Sequence, residues 1–409
     1  MNAIADPRNP ERISYRQSHL LWCGILLFMM HLGSRRQFRY ERRSDEFLEN
    51  LNALDPGFEA ESVADPDTLA YYAKQVPCAS LEEFLASLST RLIRMKALDG
   101  FRLQGYFPVA VAGSQVCTFD QQPWEGCPHR TLSNGSTQFF SYVLDAKLLT
   151  PSGLALTLAT EMLTNEGNEQ FDKQDCEQKA FPRLAAKLHA LFPRTPICLL
   201  LDSLYANQKV IRLCEANRWK YIITFKAGSM PERYIEAQAL ARLQPRNRLR
   251  IEDHKTHLTQ QFEWVDSLPI AEFIPSVLWC REEDQTGEAT RFGWLTNFQV
   301  SRSNVENIAN KGGRLRWKIE NEGYNVQKNN GYEMQHPYCE HPNAFRVFYL
   351  LLLIGYYFSQ LILQGSLIDS LIETFGSAKN FARRLAESLR NHQLLLPLPI
   401  PGQIRFKPP

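Results

Sequence analysis

Apolar positions follow different spacings along the chain, and each change of spacing predicts a change of element. From His19 to Leu32 nearly every residue is apolar, and the run stops at Gly33-Ser34. That predicts a buried helix with a sharp end. At Ser80-Leu81-Glu82-Glu83 a serine stands where a cap would, with acids in the first turn, and predicts a helix start there. Residues 1–100 thus read as a helical N-terminal region, without repeat or zinc-finger signatures.

Beyond Gly105 the spacing shortens. Tyr106–Ser114, Gln138–Leu149 and Leu154–Met162 are apolar or alternating runs separated by Gly, Asn, Ser and Pro, which is strand punctuation. A helical pattern follows over Asp172–Phe192, with Pro182 predicting a kink or break. Pro196–Asp202 is a continuous apolar run with the length of a strand buried on both faces. Asn207–Asn217 reads as a helix and Trp219–Phe225 as a strand. The expected fold is α/β: a mixed sheet with flanking helices, its first and fourth strands side by side, occupying 101–230. Alternation returns at Arg248–Glu252, Gln260–Val265, Val277–Arg281 and Phe292–Phe298, predicting a β-rich insertion over 231–301. Residues 302–395 read as helical, and 396–409 as an irregular Pro-rich tail.

Composition narrows the class. The 409 residues are 44% hydrophobic and 22% charged, as in a globular protein that buries a large core. The formal charge of +2 conceals two basic clusters. One holds Arg35, Arg36, Arg39, Arg42 and Arg43; the other holds Arg242, Arg246, Arg248 and Arg250. Such clusters attract phosphate and are also ordinary solvated faces. Nine cysteines without a secretory pattern suggest a reduced, cytoplasmic setting. Leu20–Met30 is too short to span a bilayer, and Val347–Leu363 carries Gly355, Ser359 and Gln360, so it reads as a core helix and no membrane is expected.

Two carboxylates occupy positions that suit chemistry. Asp202 ends a buried strand, where α/β sheets open a crevice for ligands; as a good cap residue it equally suits the start of the next helix. Glu320 lies in a helix-like run four residues after Arg316, so the two share a face, as do Glu320 and Tyr324. The plain alternative is an ordinary helical ion pair. Trp317 and Tyr324 are expected to pack inward.

In combination these segments resemble the DDE transposases of bacterial insertion sequences, in the branch with a β-rich insert between the second Asp and the Glu. The likeness rests on Lys173-Gln-Asp-Cys-Glu177, on Leu201-Asp-Ser-Leu-Tyr-Ala-Asn207 with Trp219-Lys-Tyr-Ile-Ile223, and on Arg316-Trp-Lys-Ile-Glu-Asn-Glu-Gly-Tyr-Asn-Val-Gln-Lys328. It implies an RNase H-like core, with Asp202 and Glu320 as catalytic ligands of Mg²⁺ or Mn²⁺. Arg316 and Lys328 would hold DNA phosphate. It implies cleavage and strand transfer on double-stranded DNA, with transposon terminal inverted repeats and target DNA as partners and a homodimer as the acting form. Arg35, Arg36 and Arg39 are the expected contacts to transposon-end DNA.

The chain departs from that pattern in three places. The Tyr expected three residues before Arg316 is Gly313, and Lys328 lies one position further from Glu320 than in the simplest pattern. The third departure bears on activity. Where the first catalytic Asp belongs, in Val109-Ala-Val-Ala-Gly-Ser114, stands Ala112. Two metal ions about 3.5–4 Å apart clamp the attacking and leaving oxygens in such reactions, and an alanine offers no ligand. Asp120 lies beyond the strand and Asp145 within the second one, so neither is an evident substitute. The expected function is therefore a transposase impaired in cleavage, and the alternative is a non-catalytic, domesticated or regulatory, DNA-binding protein.

Cys117, Cys127 and His129 suggest zinc, but a second ligand pair is missing from the spacing. His336 and His341 flank Pro337 in a loop and suit structural roles.

Overall fold

The computed structural model describes residues 1, 4–55, 59–165, 174–253, 257–366, 375–393 and 403–407. Lys173 and most of the Pro-rich tail lie outside these residues.

Among the described residues ten strands form one sheet. Its first half comprises β1 (Phe107–Phe119), β2 (His129–Thr131), β3 (Thr137–Leu149), β4 (Ala155–Met162), β5 (Ile197–Leu201) and β6 (Lys220–Thr224). β3 pairs antiparallel with β1 and β4, while β5 runs parallel to both β1 and β6. First and fourth long strands are therefore three apart in sequence and adjacent in space when β2 is set aside. The fourth of them is β5, the strand at Pro196–Asp202, and it lies beside β1 as expected. Every residue of β5 is buried, as its unbroken apolar run requires of a strand with neighbours on both sides.

The insertion is antiparallel, as expected: β7 (Arg248–Asp253), β8 (Leu258–Val265), β9 (Ser276–Glu283) and β10 (Ala289–Thr296). It continues the main sheet, because β10 pairs with β6. A helix at Pro231–Leu243 precedes it, where only strands were anticipated.

The helices cover the sheet, and besides those described below they include α2 (Arg35–Glu41), α3 (Asp45–Leu54), α8 (Pro231–Leu243) and α9 (Val305–Asn310). α1 (Gln17–Met29) is buried nearly all round, which explains why its apolar run shows no polar stripe. It packs on α11 (Pro342–Gln364), which also meets α4 (Pro66–Ala73), α5 (Cys78–Arg94) and β4. α11 is long and apolar enough to cross a membrane, yet 78% of its most apolar window is buried against these neighbours. Gln360 of α11 bonds both the N–H and the C=O of Ala155, at 2.7 and 3.2 Å, closing backbone groups of β4.

Two local expectations need correction. α5 begins at Cys78 with Pro77 in the cap position, so Ser80 sits inside its first turn. α6 (Glu177–Leu191) continues through Pro182 without a break. Its buried face of Ala180, Phe181, Leu184, Ala185 and Leu188 holds it together despite the hydrogen bond that proline cannot donate.

Candidate functional site

Strand register sets the site. In the parallel pair, Ala110 lies beside Leu200. Two residues further along each chain stand Ala112 and Asp202, level with each other past the last paired residues, and the Asp202 side chain opens among Lys179, Phe181 and Asn207, with Tyr205 and Tyr142 nearby. Asp202 lies just past the end of β5, half-buried, where Oδ1 accepts the Leu204 N–H at 2.8 Å. It thereby caps the single 3-10 turn Ser203–Tyr205. The helix expected over Asn207–Asn217 is capped instead by Asn207, whose side chain accepts the Val210 N–H at 3.1 Å.

Across the antiparallel pair, Ala112 faces Asp145 of β3. Asp145 is fully buried and paired with the equally buried Lys147 at 2.8 Å. Its Oδ2 also accepts the Tyr349 hydroxyl at 2.8 Å, and Lys147 Nζ donates to Thr157 Oγ1 at 2.9 Å. Burial pushes the Lys147 amine down from its ordinary range, with Asp145 pulling the other way. Asp145 Oδ1 has no hydrogen-bond partner among the described residues.

The Glu320 segment docks on β1 and β3. Gly312 and Gly313 let it approach the sheet closely: a Cβ on Gly313 would overlap the Trp294 indole, and one on Gly312 would meet Ile222 of β6. The Trp294 ring thus fills the space that a side chain at 313 would need. A 3-10 turn, Gly313–Trp317, leads into a π-helical stretch, Ile319–Asn325, and then α10 (Val326–Asn329). The buried Arg316 holds Glu320 at 2.9 Å. Tyr324 is buried, lying over Lys147 with Nζ 5.1 Å from the ring centre. Trp317, expected inside, is 55% exposed and stacks on Arg316 at 4.7 Å; the 3-10 turn rotates it away from the core.

The π-helix bears on the spacing of Lys328. In a regular α-helix residues seven apart share a face. A π turn closes i→i+5 and so takes up about one more residue. Lys328, eight positions after Glu320, is compatible with Glu320's face because the wide turn lies between them. Lys328 is half-buried, and that burial lowers its pKa.

A third carboxylate was overlooked in the sequence. Glu177, the first residue of α6, accepts the hydroxyls of Tyr142 and, at 3.0 Å, Tyr205. It rests on Gly113, where a Cβ would lie 2.5 Å from its Oε1. Glu177 thus joins the residue after Ala112 to the turn that follows Asp202. The only signal was its place in the Lys173–Glu177 segment, since glutamates in first turns are common.

The remaining candidates fall elsewhere. Arg35 pairs with Asp67 at 2.9 Å, and Arg39 with Asp65 and Asp67 at 2.9 and 2.8 Å. These acids sit at the start of α4 and offset the cluster's charge, whereas Arg36 is exposed and unpaired among the described residues. Cys117 Sγ faces the Gln335 carbonyl at 3.3 Å and Cys127 Sγ the Phe140 carbonyl at 3.5 Å. His129 is exposed on β2. His341 caps α11.

Among the described residues no three His, Cys, Asp or Glu side chains gather where a metal ion could be held. Glu320 is engaged by Arg316 and Asp202 by the Leu204 N–H, and the residues present do not fit a pair of divalent cations. In comparisons with known proteins, no family profile matches the chain and no curated protein sequence matches it significantly.

Proposed function

We propose that the protein is a DNA transposase scaffold of the DDE, RNase H-like type. It binds transposon ends and is impaired in cleaving them because Ala112 stands where the first Asp belongs. The observation that carries this reading is the register. Position 112 stands level with Asp202 on the neighbouring strand, and the Glu320 segment docks on the strand of Ala112 through Tyr324. The strand order β4-β3-β1-β5-β6, with β3 antiparallel and β5 and β6 parallel to β1, supports the same reading. So does the wide turn before Lys328, which gives a physical reason for one departure from the family's pattern.

On this reading Arg316 orients Glu320, Lys328 and Arg36 contact DNA phosphate, and the protein works in the cytoplasm, as a homodimer, on terminal inverted repeats and target DNA. A second reading, a non-catalytic DNA-binding protein, draws on the Asp145–Lys147 pair: the carboxylate nearest position 112 is already neutralised.

The test is the Ala112→Asp protein with Mg²⁺ or Mn²⁺ and the inverted repeats of its own element. Metal-dependent nicking by this variant and not by the natural protein supports the first reading. End binding without nicking in either protein supports the second, and absence of end binding removes both.

A further inference from the structure

Asp202 also borders a cleft of about 1120 Å³ at the carboxyl ends of β5 and β6. The cleft lies among the start of α6, the turn after β5, α7 (Gln208–Ala216) and the loop after β6. Among the described residues Asp202 is the only acidic one lining it, against Lys179, Lys209 and Lys226. Those lysines come from three separate elements, so their convergence is a product of the fold and not of one basic run in the sequence.

Lys209 stands against local electrostatics. It is the second residue of α7, at the positive end of the helix dipole, and that first turn holds no acid. A cation there is unfavourable. Neither Lys209 nor the exposed Lys226 makes an ion pair or side-chain hydrogen bond among the described residues, so neither serves as a counter-ion to Asp202. Ser203 and Ser229 add hydroxyls to the lining. The arrangement suits an anion. The volume exceeds the roughly 300–1,000 Å³ of small-molecule sites, and the cleft is open to solvent, which suits an extended chain better than an enclosed ligand.

We infer that a phosphodiester backbone lies in this cleft, with Lys209 and Lys226 each neutralising one phosphate. This track is separate from the Arg316 and Lys328 contacts. The inference rests on the DNA-binding reading above and adds the route the DNA takes past Asp202.

The test is fluorescence anisotropy with a 30-base-pair duplex of arbitrary sequence, between roughly 50 and 200 mM salt. The natural protein is compared with Lys209→Gln/Lys226→Gln and with Lys226→Gln alone, each checked for an unchanged unfolding midpoint. Each phosphate contact contributes about 0.9 to the slope of log affinity against log salt. The double variant should therefore be shallower by about 1.8 and the single variant by about 0.9. The single change sits in a loop and leaves α7 intact, so it decides the matter should the double variant fold poorly. A natural protein that binds with variants of equal slope overturns the cleft assignment and leaves the DNA-binding reading standing. A natural protein that binds no duplex at the lowest salt overturns both.

Discussion

The hydroxyl of Tyr324 donates to the carbonyl oxygen of Ala112 at 2.6 Å. The same hydroxyl accepts the Asp145 N–H at 3.2 Å, so one side chain bridges facing backbone groups of β1 and β3. Tyr324 lies four residues after Glu320, and the contact ties the Glu320 segment to β1 at Ala112. Tyr324→Phe removes that tie and leaves two buried backbone groups short of a partner. A loss of about 1–3 kcal/mol is expected in urea unfolding. A loss below about 0.5 kcal/mol would mean that the two strands close on each other and satisfy the groups directly.

The Asp145–Lys147 pair is fully buried, and such pairs respond asymmetrically to substitution. Lys147→Met strands a buried carboxylate and should lower stability by about 3–5 kcal/mol. The double variant Asp145→Leu/Lys147→Met removes both charges together and should recover most of that loss. Chemical denaturation of the two single variants and the double one measures the coupling. Additive losses would show that the charges do not depend on each other.

Gly313 owes its identity to the Trp294 indole, which a Cβ would overlap. Gly313→Ala should cost about 1–3 kcal/mol by overpacking. Trp294→Leu makes room, so the pair should be less costly than the sum of the single changes by about 0.5–3 kcal/mol. Thermal or urea unfolding of the four proteins checks this. Simple additivity would place the strain of Gly313→Ala somewhere other than the indole.

The strands of the central sheet were legible because period-two alternation and the buried run at Pro196–Asp202 report burial directly. The Arg316–Glu320 pair was legible because i,i+4 spacing is a local property. What escaped depends on contacts between distant segments. Trp317 looked like a core residue until the 3-10 turn rotated it outward. Arg35 and Arg39 looked like free cations until α4 brought Asp65 and Asp67 against them. The sequence also hid the continuation of the sheet into the insertion, since the β6–β10 pairing joins residues some seventy positions apart, such as Thr224 and Trp294. Glu177 escaped because its meaning lies in Gly113, Tyr142 and Tyr205, which only the fold assembles.

Two histidines make stability sensitive to acid. Burial pushes the His31 pKa down to about 4, and that of His19 to about 4 as well, outweighing the pull of Asp55. In the unfolded chain both titrate near 6.5. Between these values the unfolded chain binds protons that the folded chain refuses, so stability falls as pH drops from 6.5 toward 4. For His31 the full effect is on the order of 3 kcal/mol. His31 has φ 53°, a left-handed conformation that asparagine tolerates. His31→Asn should therefore flatten the decline in urea midpoint between neutral and mildly acidic buffer. An unchanged decline would assign the acid sensitivity to other groups.

Glu177 links the strand beside Ala112 to the turn beside Asp202, and the link makes a prediction that a surface glutamate would not meet. Two tyrosine hydroxyls donate to its carboxylate, and Tyr205 is buried. Hydrogen bonds to a charged group contribute about 1.5–3 kcal/mol, so Glu177→Ala should lose at least about 2 kcal/mol. Glu177→Gln keeps the volume and one acceptor oxygen, and should lose less. The close approach to Gly113 adds a second arm. Gly113→Ala should cost about 1–3 kcal/mol in the natural protein. It should cost less in the Glu177→Ala background, where the carboxylate that crowds Gly113 is gone. Unfolding free energies of the four proteins decide it. If Glu177→Ala is neutral, or if Gly113→Ala costs the same in both backgrounds, the carboxylate does not brace the strand ends, and the spacing of positions 112 and 202 rests on the backbone pairing of β1 and β5 alone.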